Sequence, residues 1–202
     1  NALVPHTKQV VYLEDNHIAE VSRQGVRLID ASGKECPVSV STVNWGTEQA
    51  EKNGFEHFMQ KEIYEQPDVV SNIINTYIKG TDIVFPKVRF SQDSLKDVSR
   101  FIIQACGTSW HAGLVAKYLL EDIARIPTEV DISSEFRYRR LLNNSNEIVV
   151  AISQSGETAD TLACIREAKS KFFNILSFVN VEGSTIDRES DGVIYTNSGP
   201  EI

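Results

Sequence analysis

Ser153-Gln154-Ser155-Gly156-Glu157-Thr158-Ala159-Asp160-Thr161 follows directly on the apolar run Ile148-Val149-Val150-Ala151-Ile152 and opens a helical pattern from Ala159 to Ser170. A strand ends, the chain turns on hydroxyl residues and a glycine, and a helix starts. Backbone N–H groups in the first turn of a helix lack intrahelical partners, and the helix dipole adds positive potential there. Phosphate and other anions bind well at such a place. Ser153, Ser155 and Thr158 supply hydroxyls and Gln154 an amide, none of them formally charged. The stretch therefore reads as a neutral hydrogen-bonding cradle for a phosphate ester. The same residues also suit an ordinary strand-to-helix turn, because Ser and Thr are common N-caps. Glu157 fits a first helical turn, but it would repel a phosphate unless it turned away.

A second segment repeats the pattern. Phe101-Ile102-Ile103-Gln104-Ala105-Cys106 is a short strand of the buried type and runs into Gly107-Thr108-Ser109. A helix follows, from about Trp110 to Ile126, with Leu114, Val115, Tyr118, Leu119 and Ile123 recurring at helical spacing. In a parallel α/β sheet both turns lie at the carboxyl ends of their strands, the edge at which ligands bind. Two hydroxyl-rich helix starts can converge there on one ligand.

Ala105-Cys106-Gly107-Thr108-Ser109, Ser134-Glu135-Phe136-Arg137-Tyr138-Arg139 and the Ser153–Thr161 stretch together resemble the isomerase half of the glucosamine-6-phosphate synthase family. Its members are also called glutamine:fructose-6-phosphate amidotransferases. Gly183-Ser184-Thr185 to Arg188-Glu189-Ser190-Asp191 and Thr196-Asn197-Ser198-Gly199-Pro200-Glu201-Ile202 are similar to the same family, and His57 to Pro67 resembles the linker before its isomerase domain. These matches occur in order from about residue 55 onward. The resemblance implies the sugar-isomerase (SIS) fold.

The chain has 202 residues, of which 24% are charged and 41% hydrophobic, a balance that suits one α/β domain with appendages. A net charge of −8 argues against a nucleic-acid or anionic-membrane surface. No apolar run approaches the ~18 residues a membrane span needs, and no signal-peptide pattern opens the chain. Cys36, Cys106 and Cys164 form no CxxC pair and no even framework. They read as reduced thiols of a cytoplasmic protein, with Cys106 and Cys164 in apolar patterns that favour packing over catalysis. No cluster has metal-ligand spacing, and neither GxGxxG nor GxxxxGK[ST] is present, so no metal, dinucleotide or other cofactor is expected.

From about residue 87 strands and helices alternate. Strands are expected near 101–105, 127–131, 147–152, 173–179 and 193–196, and helices near 109–125, 134–141, 157–171 and 184–189. This predicts a parallel five-stranded sheet flanked by helices, a Rossmann-like three-layer αβα arrangement. Residues 46–86 read as a connector. Ala50 to Gly54 is polar, and Phe58, Met59, Ile63, Val70, Ile73, Ile74 and Tyr77 trace an apolar helical stripe expected to pack into a core. Pro67 is expected to split that helix or kink it. His57 reads as solvated. Residues 1–45 show strand patterns instead, Gln9 to Leu13, Ile18 to Val21 and Val26 to Asp30, with loops at Glu14–His17 and Ala31–Lys34. The resemblance places this portion at the end of a glutaminase domain and makes residues 87–202 the first SIS subdomain.

What the resemblance implies can be placed residue by residue. Ser153, Gln154, Ser155 and Thr158 would hold the phosphate of fructose 6-phosphate with help from Ser109, and Thr108 would contact the sugar near its reacting end. The intact enzyme would transfer ammonia from glutamine to fructose 6-phosphate, isomerise the imine to glucosamine 6-phosphate, and act as a homodimer. The family's catalytic cysteine, glutamate, histidine and lysine have no counterpart among these 202 residues, so no catalytic residue is assigned and the chain alone is expected to turn nothing over. His111, Glu135 and Arg137 receive no chemistry. A sugar-phosphate sensor domain of a transcription regulator is the alternative. Such proteins usually carry a basic helix-turn-helix segment ahead of the sensor, whereas the strand-like portion here features Glu14, Asp15 and Glu20.

Overall fold

The computed structural model describes residues 6–42, 52–90, 95–140 and 146–199. The expected boundary near residue 45, Ala50 and Glu51 of the polar connector, and Pro200 lie outside the described residues. Two compact units are present, one reaching as far as Lys61 and the other running Glu62–Ser198.

The first unit is built of short antiparallel pairs. Strands β1 (Gln9–Val10) and β5 (Ser41–Thr42) pair with each other, and β2 (Ile18–Ser22), β3 (Gly25–Ile29) and β4 (Glu35–Cys36) form a three-stranded meander. The expected strand from Gln9 to Leu13 is confined to its first two residues. The β3–β4 turn is set by Asp30, whose Oδ1 accepts from the Ser32 and Lys34 N–H groups at 2.8 and 3.0 Å. A side chain that captures backbone donors a few residues on is why Asp favours such turns. This unit buries only Leu28 among its described apolar side chains.

Helix α1 (Phe58–Tyr77) runs through Pro67 as one element. A proline lacks the N–H and clashes with the preceding turn, yet the helix is not split here. The apolar stripe is not a core face either. Tyr77 is buried, but Met59, Ile63, Val70 and Ile74 are exposed, Met59 at 72%. Periodicity marks an amphipathic face; it does not say what covers that face. His57 is exposed, as expected. Strands β6 (Ile78–Lys79) and β7 (Asp82–Ile83) form a small hairpin after the helix.

The second unit centres on five parallel strands: β8 (Arg100–Ala105), β9 (Thr128–Ile132), β10 (Glu147–Ser153), β11 (Asn174–Val179) and β12 (Gly192–Tyr195), in the order β12-β11-β10-β8-β9. Helices α2 (Gly107–Leu119), α3 (Ser133–Phe136), α4 (Ala159–Ser170) and α5 (Thr185–Glu189) connect them. Each expected strand is found within a residue or so. Helix α2 ends in a π-helical turn, Leu120–Ala124, closed by Arg125 at φ 57°. Helix α3 is a single turn and shorter than expected, because its Phe136 is fully buried while Arg137 to Arg140 return to the surface.

Strand residues alternate between two cores, as a sheet covered on both faces requires. Ile102, Val149, Ala151 and Ile175 pack with Phe136, Cys164, Ile165, Ala168 and Ile186 on one face. Ile103, Ile148 and Val150 pack with Phe90, Val98, Ala116 and Leu120 on the other. Full burial of each of the Val, Ile and Phe side chains at the centre of these clusters favours folding by about 1.5–3 kcal/mol. At the strand starts, Arg100 pairs with Glu129 and with the buried Glu147, and Arg139 pairs with Glu129 at 2.8 Å and Asp131 at 2.9 Å. Tyr77 closes the β12 edge: its hydroxyl donates to the Tyr195 carbonyl at 3.0 Å and accepts from the Tyr195 N–H at 2.7 Å. None of the described helices is long and apolar enough to cross a membrane.

Candidate functional site

The chain leaves β8 for β9 on one side and then returns to β10 on the other, so the strand order reverses between β8 and β10. In open α/β sheets the crevice at such a reversal, beyond the carboxyl ends of the strands, is where ligands bind. Ala105 pairs with Ile152 across this gap. The turns Cys106–Ser109 and Ser153–Thr158 therefore leave adjacent strands side by side. The structure brings together the two hydroxyl-rich helix starts picked out in the sequence.

Neither helix start is closed by its own side chains. Cys106 is the N-cap of α2 and makes no side-chain cap bond; Thr158 is the N-cap of α4 and makes none either. The Thr158 hydroxyl instead shares a 2.9 Å hydrogen bond with Ser153 Oγ, and Ser153 Oγ accepts from the Gly156 N–H at 3.1 Å. Ser153 is buried and shapes the loop from within. Ser155 Oγ accepts from the Glu157 N–H at 3.2 Å, which leaves its own O–H proton to donate. Thr108 is exposed, and Ser109 and Gln154 are half-buried. Gln154 Oε1 is buried with no partner among the described residues. Helix α5 differs: Ser184 Oγ accepts from the Asp187 N–H, and Glu157 Oε1 accepts from the Thr185 N–H at 2.7 Å. Glu157 thus directs its carboxylate to the backbone of a neighbouring helix start.

Gly156 is the point on which the loop turns. Its φ of +68° lies in the left-handed region, and an added Cβ would stand 2.5 Å from Ser184 Cβ and nearer still to its Oγ. The Gly156 carbonyl accepts from the Ile186 N–H at 3.0 Å. The Ser153–Thr158 loop is therefore seated directly on the start of α5. Gly107 opens the other turn at φ +55°. His111 packs its ring nitrogen Nδ1 against the Gly107 carbonyl at 3.0 Å on its own helix, the behaviour of an ordinary helix residue.

Arg137 pairs with Asp160 at 3.3 Å and lies over the Tyr138 ring. Cys164 donates to the Ser133 carbonyl at 2.9 Å, and burial pushes its thiol up to about 12. No group of His, Cys, Asp and Glu among the described residues could hold a metal ion. Sequence reasoning missed Glu157 as a cap, Ser184 as the seat of Gly156, and Asn180, whose N–H donates to the Gln154 carbonyl at 3.0 Å. The available sign of Asn180 was a polar residue placed directly after the apolar run of β11.

The SIS domain family matches residues 94–202. The chain is 45% identical over 202 residues to a glutamine–fructose-6-phosphate aminotransferase (isomerizing) of Clostridium tetani, covering all of this chain and 33% of that protein. A protein of the same name from Methanosarcina acetivorans is 44% identical over 203 residues, with the same coverage. Among solved structures, the C-terminal domain of glucosamine-fructose-6-phosphate aminotransferase from Francisella tularensis superposes with a TM-score of 0.70 at 41% identity, over 75% of this chain and 43% of that one. The chain spans about a third of the length of the curated relatives it matches.

Proposed function

We propose that this chain, which belongs to the SIS-domain family, holds the phosphate of fructose 6-phosphate and is the phosphate-binding part of an isomerizing glutamine–fructose-6-phosphate aminotransferase. The observation that carries this reading is the pair of uncapped helix starts on adjacent strands, with the Glu157 carboxylate directed to the Thr185 N–H. First-turn N–H groups and hydroxyls can hold a phosphate dianion by hydrogen bonds without a lysine or arginine. In this reading Ser153, Gln154, Ser155 and Thr158 contact the phosphate, Ser109 approaches from the α2 side, and Thr108 faces the sugar. Residues 1–45 are the end of a glutaminase domain, 46–86 the linker and 87–202 the first SIS subdomain. The intact enzyme acts as a cytoplasmic homodimer, forming glucosamine 6-phosphate with ammonia taken from glutamine.

Thermal unfolding with millimolar fructose 6-phosphate, glucosamine 6-phosphate and unphosphorylated fructose tests the site. A ligand that binds only the folded state adds about 2.7 kcal/mol at a hundredfold excess over Kd. Stabilisation is expected with both phosphosugars, none with fructose, and little in Ser155→Ala. Equal shifts with fructose, or an unchanged response in Ser155→Ala, would reject the cradle.

A further inference from the structure

We propose that Asn180 is a positioning residue for the cradle, a role that rests on the reading of the Ser153–Thr158 loop as a phosphate site. Asn180 is the first residue beyond β11, the strand that lies between β10 and β12. Its backbone and side chain reach in opposite directions. The N–H donates to the Gln154 carbonyl at 3.0 Å, inside the cradle loop. The side-chain oxygen Oδ1 accepts from the Ser198 N–H at 2.8 Å, Ser198 Oγ at 2.9 Å and Thr196 Oγ1 at 3.1 Å, all in the segment after β12.

The chemistry fixes this orientation. A backbone N–H can only donate, so the bond to Ser198 requires the carboxamide oxygen, not its nitrogen, to face that segment. Three donors converge on one carbonyl oxygen. Between them Asn197 sits at φ +49°, a conformation held from both sides by the Thr196 and Ser198 bonds. The Thr196 N–H also donates to the Val179 carbonyl at 2.9 Å, so the segment is pinned to β11 just before Asn180. The loops after three neighbouring strands thus meet in one residue. Side chains held by such bonds keep a site's contacting groups in place without touching the ligand. Removal of the carboxamide frees Ser198 and the Thr196 hydroxyl, leaves the Thr196 N–H bond to Val179 in place, and so loosens one of the two anchors that keep the Asn180 N–H on the Gln154 carbonyl.

The test uses the 202-residue chain and four variants, Asn180→Ala, Asn180→Asp, the double variant Thr196→Val/Ser198→Ala, and Ser155→Ala as a cradle control. Calorimetric titration with fructose 6-phosphate is run well below every melting temperature, and amide hydrogen exchange at residues 153–158 is measured without ligand. Asn180→Ala and the double variant are expected to bind about tenfold more weakly and to exchange faster at 153–158 than in the rest of the sheet. Asn180→Asp retains an acceptor oxygen and should keep near-normal exchange. Wild-type affinity in Asn180→Ala, with Ser155→Ala impaired, would overturn the role of Asn180 and leave the cradle standing. Faster exchange that is confined to 196–199, or that is uniform across the sheet, would overturn it as well. Absence of fructose 6-phosphate binding in the unmodified chain would reject the reading of the cradle, and the role of Asn180 with it.

Discussion

Replacement of Gly156 by alanine should be the most damaging single-methyl change in the cradle. Alanine at φ +68° costs about 1 kcal/mol relative to glycine, after allowance for the freedom glycine loses on folding. The new Cβ would lie 2.5 Å from Ser184 Cβ, far inside contact distance, and neither atom is the end of a flexible side chain. Relief of that overlap requires the start of α5 to move, at about 2 kcal/mol by comparison with overpacked cores. The move weakens the Ser184 cap on Asp187 and the Ile186 N–H bond to the Gly156 carbonyl, for about 1 kcal/mol more. The sum is about 4 kcal/mol, a large share of a domain's stability and a melting shift of about 10 °C or more. Urea unfolding followed by circular dichroism measures it. Ser184→Gly removes the obstructing atoms, so Gly156→Ala in that background should cost only about 1–2 kcal/mol. A loss below about 1 kcal/mol for the single variant, or the same loss in both backgrounds, would refute the steric reasoning.

Three further outcomes are expected. Burial raises the Glu129 carboxyl, but the Arg139 hydrogen bond and the Arg100 charge outweigh it and hold the group below its usual 4.5. A lowered folded-state pKa means stability present above pH 4.5 and lost as the pH falls through the folded value; an acid titration of the unfolding free energy should flatten there in Glu129→Gln, and an unchanged slope would contradict the pairing. The Cys164 thiol, pushed up to about 12 by burial, should resist alkylation at pH 8 in the native chain and react in guanidinium, whereas labelling at the rate of a free thiol would refute its burial. Tyr77→Phe strips both Tyr195 backbone groups of their hydroxyl partner and should cost about 2 kcal/mol, with faster amide exchange at Tyr195 as the local readout.

Much of the second unit was legible in its residues because its signals are local. Short, β-branched unbroken runs such as Ile148 to Ile152, bounded by turn residues, suit strands buried on both faces, and glycine with hydroxyls after such a run marks a turn into a helix. Ser153, Gln154, Ser155 and Thr158 could be selected on those grounds, and so could Thr108 and Ser109. The stripe on α1 misled for the same reason that the strands did not. A period of apolar residues identifies a face, but Met59, Ile63, Val70 and Ile74 are exposed, and nothing in their spacing states what they pack against. Pro67 likewise forbids a backbone bond without dictating that the helix must end.

Strand order, hydrogen-bond direction and the fate of each charge belong to the tertiary structure. Local patterns determined most of the elements and the two hydroxyl-rich turns, because each depends on residues within a few positions of one another, and the alternation of strand and helix implied the parallel sheet. Only the fold put β8 beside β10 and so set the turns that carry Ser109 and Ser155 side by side. Glu157 could not be judged from its neighbours in sequence, since its partner is the Thr185 N–H, 28 residues away. Nor could Asn180, which joins Gln154 to Ser198 across 26 residues on one side and 18 on the other. Hydrogen bonds and steric seats act over a few ångströms in space, and chain separation is no guide to them until the sheet is assembled.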